Sequence, residues 1–424
     1  MKSCRFLLVA TLGGLAATSA HAIPAWSRSE ATACSSCHAT PTWQLTNVGL
    51  DFLKNGHRND PFKHNNNAMK WDNYFSLLWK ARAWNDRLDD ARTGNANTQR
   101  PSTNFEQHSF ALYTGGSLAE RFSYFTEIYL SENTGATSGG NIGQGDAARK
   151  KLAEAFLQYN HPIAPDTFLA VRGGEILPAI LHVFGVGARS IEQRPVVLND
   201  ALAGSLNTYR PFSRQQGVDA TLTGKHYEVS VGMVNGSDTS TTNSWDADSH
   251  KDLYVSGIYN FDEHESGAGV FHYDGQFTNY TVKQDFSTPI LFRNDFYRTG
   301  LLGRFIRDKW RIVGTYFVGE EMISAAKAKA KNVGYYLLAD YNFSDRIGIF
   351  GRYDRLDPNK DLSRNETSQV IFGGNGLLYA TLKSAARLSI EYSIRETYLG
   401  GTISAAGTTK YKDHRIYTQL TWGF

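Results

Sequence analysis

Long apolar runs, an excess of charge of one sign, and cysteine are all scarce in this sequence. After residue 22, no stretch approaches the roughly 18 consecutive apolar residues of a membrane-spanning helix, which argues against a helical membrane protein. The formal net charge is only +3, so charge gives no indication of a nucleic-acid partner. The chain has three cysteines, which leaves no second cysteine pair to complete a zinc site.

The first 22 residues have the pattern of a secretory signal peptide. Two basic residues and an apolar run precede Ala20-His21-Ala22, which is a small-x-small cleavage site. Cleavage there predicts a mature chain that begins at Ile23 and has lost Cys4. Cys34 and Cys37 are then its only cysteines, and the formal charge falls from +3 to +1 because both removed charges are basic.

The rest of the chain has the composition and the pattern of a β protein. It contains 39 Gly, 22 Tyr, 24 Phe and 8 Trp, with a mean hydropathy of −0.40. From about Tyr74 to Phe424, about sixteen segments alternate apolar and polar residues, each followed by a turn. In the last segment Ile416, Leu420 and Trp422 share one face. Period two over this length predicts strands with one apolar face.

The connections between these segments alternate between tight turns, such as 306–309, 343–346 and 383–386, and longer loops. Short turns on one side and long loops on the other are typical of an outer-membrane barrel. An even strand count places both ends of the barrel at the short-turn, periplasmic side. Aromatic residues at strand ends on the apolar face fit interfacial girdles: Trp79, Trp310, Tyr316, Tyr335, Tyr341 and Trp422. A soluble β-sandwich or propeller is the alternative.

The two remaining cysteines lie in Cys34-Ser35-Ser36-Cys37-His38. In a Cys-x-x-Cys-His motif, two thiols form thioethers with the vinyl groups of a haem, and the adjacent imidazole binds the iron as proximal ligand. The motif therefore predicts one covalently bound haem c at Cys34, Cys37 and His38. A thioredoxin-like redox pair, a structural disulfide and half of a zinc site are the alternatives, although no βαβ pattern surrounds the motif.

One helix is predicted between the motif and the first strand. Leu45, Val48 and Phe52 have helical spacing, and Gly56 is a C-terminal stop. Some fifty residues are too few to enclose a haem well alone, whereas a sixteen-stranded barrel has a lumen wide enough for a plug. We therefore expect residues 23–71 to lie in or beneath the barrel, with the lumen wall completing the haem pocket.

The sixth ligand of the haem iron stays open at this stage. His57 is the first candidate because it follows the predicted helix directly. Met69 is the second and His64 the third, and a barrel residue or an open site are the remaining possibilities. Histidine favours a lower reduction potential than methionine, so the ligand bears on the electron donor.

The predicted fold is all-β: an outer-membrane antiparallel β-barrel of about 16 strands over residues 72–424, with a small N-terminal α-helical monohaem cytochrome c segment over 23–71 as plug, after a signal peptide over 1–22. The strand parity places a mixed set of charged side chains in the lumen, which is ordinary for a porin. Some of the arginines are candidates for binding the haem propionates. The set is Lys80, Arg82, Glu127, Asp219, Arg298, Arg304, Asp340, Arg352, Asp354, Glu391, Arg395 and Arg415.

The N-terminal residues resemble the fused monohaem cytochrome-porins of iron-oxidising bacteria. The resemblance covers about thirty residues, namely Ile23 to Arg28, Cys34 to His38, Pro41, Leu45, Asn47, Gly49 and Phe52. It implies an outer-membrane barrel that accepts electrons from extracellular Fe(II) and passes them to periplasmic carriers. This chain departs from the family pattern at Trp26, where Phe is expected, at Thr46, where Asn is common, and at His57, where an aromatic residue is usual.

The leading functional prediction is therefore electron transfer from extracellular Fe(II) or another reductant, through the single haem, to a periplasmic c-type cytochrome or another electron carrier. As an enzyme, such a protein is an Fe(II):cytochrome oxidoreductase. A solute porin with a haem-bearing plug or sensor segment is the alternative, and an enzyme acting at an open haem site, such as a peroxidase, is the third possibility. The expected surroundings are outer-membrane lipid, with no nucleic acid.

Overall fold

The structure is a computed structural model, and it describes only part of the chain. The described residues are 24–39, 44–63, 73–90, 102–132, 152–178, 195–199, 207, 209–211, 214–236, 250–261, 266–280, 290–322, 328–398 and 410–424. The predicted signal peptide and two of the predicted iron ligands, His64 and Met69, lie outside them.

Sixteen antiparallel strands form a closed barrel in which neighbours follow chain order and the last strand pairs with the first. The predicted strand number and the antiparallel all-β class are confirmed. The barrel strands are Phe75–Asp90 (β3), Ser102–Ser117 (β4), Phe122–Glu132 (β5), Leu152–Ala164 (β6), Thr167–Ile176 (β7), Gln215–Thr223 (β8), Tyr227–Val234 (β9), Asp252–Asn260 (β10), Gly267–Tyr280 (β11), Ile290–Arg307 (β12), Trp310–Met322 (β13), Lys329–Asn342 (β14), Ile347–Asp357 (β15), Thr367–Ala380 (β16), Ala385–Tyr398 (β17) and Lys410–Gly423 (β18).

Small elements accompany the barrel. They are the helices Pro24–Ser29 (α1), Cys34–Cys37 (α2), Asn47–Lys54 (α3) and Val196–Asn199 (α4), and the two-residue strands His38–Ala39 (β1) and Gln44–Leu45 (β2), which pair with each other. Within the described part of the chain, no helix is long and apolar enough to span a membrane.

Alternate residues of the strands face opposite sides of the wall, as the period-two pattern predicts. In β9 the side chains of Val229, Val231 and Met233 are exposed on the outer surface, whereas Glu228 and Ser230 are buried on the inner one. The same alternation gives the whole barrel an apolar outer surface and a largely polar inner one. That distribution is typical of barrels whose outer surface meets lipid.

The short-turn end of the barrel carries aromatic side chains and both ends of the barrel sequence. Trp310 packs on Tyr341 with ring centroids 4.8 Å apart, and Trp422 packs on Phe424 at 5.4 Å. The backbones of Leu77 and Phe424 exchange two hydrogen bonds of 2.8 and 3.0 Å. The terminal aromatic residue therefore extends the seam where β18 meets β3.

The connection from β7 to β8 sends its helix α4 into the lumen. α4 lies against the inner faces of β14, β15 and β16. A Cβ at Gly334 of β14 would lie 2.8 Å from Val197 Cγ1, so this glycine allows the close approach of α4 to the wall. This inward helix was not predicted from the sequence.

Candidate functional site

The Cys-x-x-Cys-His motif adopts one turn of helix followed by an extended residue. α2 covers Cys34 to Cys37, and positions three apart in a helix lie on one side of it. His38 then pairs with Leu45 in the two-residue ladder of β1 and β2. The Thr46 N–H donates to the Cys37 carbonyl at 2.9 Å, and the Thr46 hydroxyl donates to the Ser36 carbonyl. The backbone of the motif is therefore held from the adjacent segment.

Helix α3 packs directly on the motif because of Gly49. A Cβ at this position would overlap the carbonyl oxygen of Cys37 and press on Leu45 Cδ2. Any side chain larger than hydrogen would separate α3 from α2. Gly49, which belongs to the resemblance at the N-terminus, thus has a packing role that the structure makes explicit.

The residues at the motif fit a covalently attached haem. The two cysteine positions are one helical turn apart, His38 follows at once, and Cys37 is a free cysteine rather than half of a disulfide. Burial, and secondarily the negative charge of Glu30, raises the pKa of the Cys37 thiol to about 11. Among the described residues, no group of three His, Cys, Asp or Glu side chains could hold a metal ion.

The predicted helix between the motif and the barrel is present as α3, with one correction. Thr46 is its N-cap, and its side chain accepts a hydrogen bond from the Gly49 N–H at 3.2 Å. Leu45 was predicted on the helix, but it lies in β2 because it pairs with His38. The stop at Gly56 is confirmed: this residue has a φ of 85°, which a residue without Cβ adopts readily.

His57 closes the end of α3 and lies inside a cage of aromatic rings. Its N–H donates to the Phe52 carbonyl at 2.8 Å, while the Gly56 N–H donates to Leu53 at 3.1 Å, the two bonds of a Schellman motif. The cage consists of Phe125 stacked at 4.2 Å, Trp26 at 4.8 Å, Phe156 at 5.9 Å and Phe52 at 6.0 Å from the His57 ring.

The aromatic cage keeps His57 neutral. Burial lowers the pKa of the imidazole to about 3, and the positive charge of Arg172 acts in the same direction. The Nδ1 atom is buried and has no hydrogen-bond partner among the residues that the structure describes. A neutral imidazole is the form that binds a metal. His57 and His38 lie at opposite ends of α3, however, so the role of His57 as sixth ligand stays a prediction.

One end of the N-terminal segment (residues 24–63) is anchored to the β4–β6 side of the barrel by hydrogen bonds to backbone carbonyls. Arg58 is 2% exposed and donates to the carbonyls of Ala119 and Glu120, at 3.0 and 2.8 Å, in the turn between β4 and β5. From the wall, Gln158 donates to the Lys54 carbonyl at 2.7 Å, and Asn160 donates to the Asn55 carbonyl at 3.0 Å.

The other end of the segment is anchored across the lumen, on β13. Arg311 Nη1 donates to the Leu45 carbonyl at 2.8 Å, and Leu45 is the ladder partner of His38. β6 and β13 are nearly opposite each other in the ring of sixteen strands. Helix α3, which is about 12 Å long by its residue number, therefore crosses the short-turn end of the barrel from the β13 side to the β6 side.

Strand parity correctly predicts the inward side of the charged wall residues. Arg82, Arg298, Arg304 and Arg352 are buried inside the barrel, as are the acidic residues of the predicted set. Two of the arginines pair with carboxylates of the wall: Arg298 with Glu321 at 2.8 Å and Arg352 with Asp354 at 2.9 Å. Asp354 and Glu391 are 0% exposed, so even the charged wall is covered.

Sequence reasoning missed the anchors Arg58, Gln158, Asn160 and Arg311. None carries a local sequence signal, because each acts through a contact with residues far away in the chain. It also missed that the inner faces of β10 to β16 carry apolar side chains. There the signal existed: in β13 and β14, Ile312-Val313 and Leu337-Leu338 are apolar at both parities, which is the pattern of a strand buried on both faces.

Comparison with known proteins identifies the fold and no more. No protein-family model matches the sequence. No curated protein matches it either. Among solved structures, the chain is similar to an anion-selective porin from Comamonas acidovorans, with a TM-score of 0.57 and 9% identity over 82% of this chain and 98% of that one. It is also similar to the outer membrane channel DcaP of Acinetobacter baumannii, with a TM-score of 0.53 and 11% identity over 82% and 97% of the two chains. The barrel therefore has the porin fold, whereas the likeness to cytochrome-porins rests on the N-terminal residues alone.

Proposed function

We propose that this chain is an outer-membrane barrel whose N-terminal segment closes the short-turn, periplasmic end and carries one c-type haem at Cys34, Cys37 and His38. The apolar outer surface, with aromatic side chains such as Trp310 and Trp422 at the short-turn end, suits contact with outer-membrane lipid. The motif, with its one-turn spacing and free Cys37 thiol, is the observation that supports the haem.

The finer function that we propose is electron transfer from an extracellular reductant, Fe(II) being the leading candidate, to a periplasmic electron carrier. A bound haem c would supply a one-electron centre at His38. The chain's own residues hold this centre at the mouth of the barrel, through the β1–β2 ladder and the carbonyl anchors. Helix α4 and the N-terminal segment both lie against the inner wall, and wall charges such as Asp354 are buried, which suits an electron relay better than the passage of solutes.

A solute porin whose N-terminal segment is a plug or sensor is the second candidate. It has the more direct support from the comparisons, since the similar structures are a porin and an outer membrane channel. In this case the lumen charges would select the solute and the haem would tune or report the state of the plug. The two candidates differ in what must cross the barrel, electrons or solute.

Purified full-length protein in liposomes separates these candidates. Mass spectrometry and the haem absorbance first establish whether one haem is attached through thioethers; its absence would show that the haem proposal is wrong. Electron transfer predicts that Fe(II) added on the long-loop side reduces the haem, with little ion conductance. The solute porin predicts open-channel conductance that is unchanged in a Cys34→Ala/Cys37→Ala variant, and no haem reduction by the external donor.

A further inference from the structure

The apolar outer surface of the barrel ends, toward the long loops, in basic side chains on β14 and β15. On β14 the outward residues run from Tyr341 at the short-turn end through Leu337 and Tyr335 to Lys331 and Lys329. Lys331 precedes Tyr341 by ten residues, which is about 33 Å along a strand and about 25 Å of height at a tilt of about 40°. The apolar band of such barrels is about 25 Å tall. Lys331 therefore lies at the upper boundary of this band.

Two further cations lie beside these lysines. Arg355 on the outer face of β15 is the register partner of Tyr335. The chain that follows β15 returns to the end of β14, where the Lys360 N–H donates to the Lys331 carbonyl at 2.8 Å. We call Lys329, Lys331, Arg355 and Lys360 the basic patch. The patch combines β14, β15 and the connection after β15, so it exists only in the folded barrel.

The charge that the basic patch presents to solvent is positive, although carboxylates lie close to it. Lys329 pairs with Glu320 at 2.6 Å, and Arg355 pairs with Glu366 at 3.6 Å. The side chains of these two cations are 62% and 42% exposed, whereas those of their partners are 19% and 24% exposed. The third carboxylate, Asp357, is half-buried. The cationic groups thus cover the carboxylates and keep further donors for another anion.

We propose that the basic patch binds the phosphate groups of lipopolysaccharide, the glycolipid of the outer leaflet of bacterial outer membranes. These phosphates lie directly above the acyl chains, at the height of Lys331. Ammonium and guanidinium groups are the donors that bind phosphate. Below the patch, Leu337 is 56% exposed and Tyr353 is 40% exposed, which offers the acyl chains an apolar surface. The inference rests on the proposed orientation, with the long loops outside the cell, and does not depend on the haem.

The test measures the binding of lipid A, the phosphorylated membrane anchor of lipopolysaccharide, to purified full-length protein in detergent. A lysine or arginine close to an anionic lipid surface contributes about fivefold in affinity. The Lys331→Gln/Lys360→Gln variant should therefore bind lipid A about 25-fold more weakly than the parent. The matched control is Arg293→Gln, an exposed outward residue near the long-loop end of β12, which should bind lipid A as the parent does.

Two further ligands identify the group that is bound. Lipid A without its phosphates should bind the parent and the double variant equally, and inorganic phosphate at the concentration of the lipid should not displace lipid A. Equal binding of lipid A by the parent and the double variant would show that the proposal is wrong. A difference that persists without the phosphates would also contradict it. Displacement by inorganic phosphate would make the patch a site for the free ion and exclude the lipid assignment.

Folding of the variants is followed by the heat-dependent mobility of the barrel in gel electrophoresis. If the double variant does not fold, Lys360→Gln alone replaces it, with an expected loss of about fivefold. Haem content is measured on the same samples. Failure of lipid A binding with haem attached would exclude the basic patch and leave the proposed function standing, whereas missing haem with normal lipid A binding would do the reverse.

Discussion

The two sides of the barrel wall hold the N-terminal segment in different ways. On the β4–β6 side, three residues donate hydrogen bonds to backbone carbonyls, and aromatic rings enclose His57. On the β13 side, Arg311 provides one hydrogen bond to Leu45, and the wall above it is apolar. The difference indicates a division of labour, in which the β4–β6 side fixes the position of the segment and the β13 side holds the end that carries the motif.

The largest expected effect comes from Arg58→Met, which removes the strongest anchor of the β4–β6 side. Hydrogen bonds to charged groups contribute about 1.5 to 3 kcal/mol each, and Arg58 donates two to the barrel, at the carbonyls of Ala119 and Glu120. We expect docking of the segment to weaken by about 4 kcal/mol. The measurement is the rate of protease cleavage within the segment.

The matched control is Arg121→Met, an exposed arginine in the same turn. This variant should be cleaved at the rate of the parent protein. Equal rates for the Arg58 and Arg121 variants would contradict the anchoring role of Arg58.

The second predicted effect is that docking of the N-terminal segment depends on pH through His57, on the β4–β6 side. The imidazole of His57 has a pKa of about 3 when docked and about 6.5 when solvated, so the undocked state binds more protons between these values. The contribution of the neutral His57 imidazole to the free energy of docking is complete above pH 6.5, and it is lost as the pH falls toward 3. At pH 5 the loss amounts to about 2 kcal/mol.

Protease cleavage between pH 7 and 5 measures this loss, in a Cys34→Ala/Cys37→Ala background so that no haem iron competes for the imidazole. His57→Phe retains the ring and removes the titrating group. Its cleavage rate should therefore depend less on pH than that of its background. Identical pH profiles would exclude His57 as the source.

The glycines at the two ends of α3 give the third comparison. Gly56→Ala places a Cβ at a left-handed φ of 85° and against Ser123, which should weaken docking by about 1 to 2 kcal/mol. Gly49→Ala should instead disturb the motif, because its Cβ would overlap the Cys37 carbonyl. We expect faster cleavage in the first variant and less covalent haem in the second; the reverse result would break the division of labour.

The smallest effect is expected for Arg311→Lys. Lysine keeps the positive charge beside Asp340, the register partner of Arg311, but not the planar donor that reaches Leu45. Loss of one hydrogen bond should weaken docking by about 1 kcal/mol or less. A protease susceptibility as high as that of Arg58→Met would show that both sides anchor the segment equally.

The sequence was sufficient to predict the barrel because each strand repeats the same two-residue pattern. The faces of Ile416 and Arg415 in β18, the inward side of Arg82 and Arg352, and the number of strands all follow from that local periodicity. The stop of α3 at Gly56 is equally local. These features need no knowledge of what lies across the lumen.

The candidate site was predictable only at its motif. Leu45 left the predicted helix because it pairs with His38, and the anchors at Arg58, Asn160 and Arg311 depend on contacts between residues that are distant in sequence. The apolar inner faces of β10 to β16 were overlooked because a strand that is apolar on both faces still shows the expected outer face. In β13 and β14, the apolar residues Val313 and Leu338 at inward positions indicated that the inner face of the wall is covered.

The wall holds the N-terminal segment through its main chain and through side chains on its covered face, such as Arg58 and Lys54. Gln158, Asn160 and Arg311 all donate to backbone carbonyls of that segment, whereas Val48 and Asp51 of α3 face solvent. Contacts of this kind do not depend on the side chains on the exposed face of α3. Residues on that face can therefore be substituted. Their charge can be changed to suit a different soluble partner while the barrel that holds the segment stays unaltered.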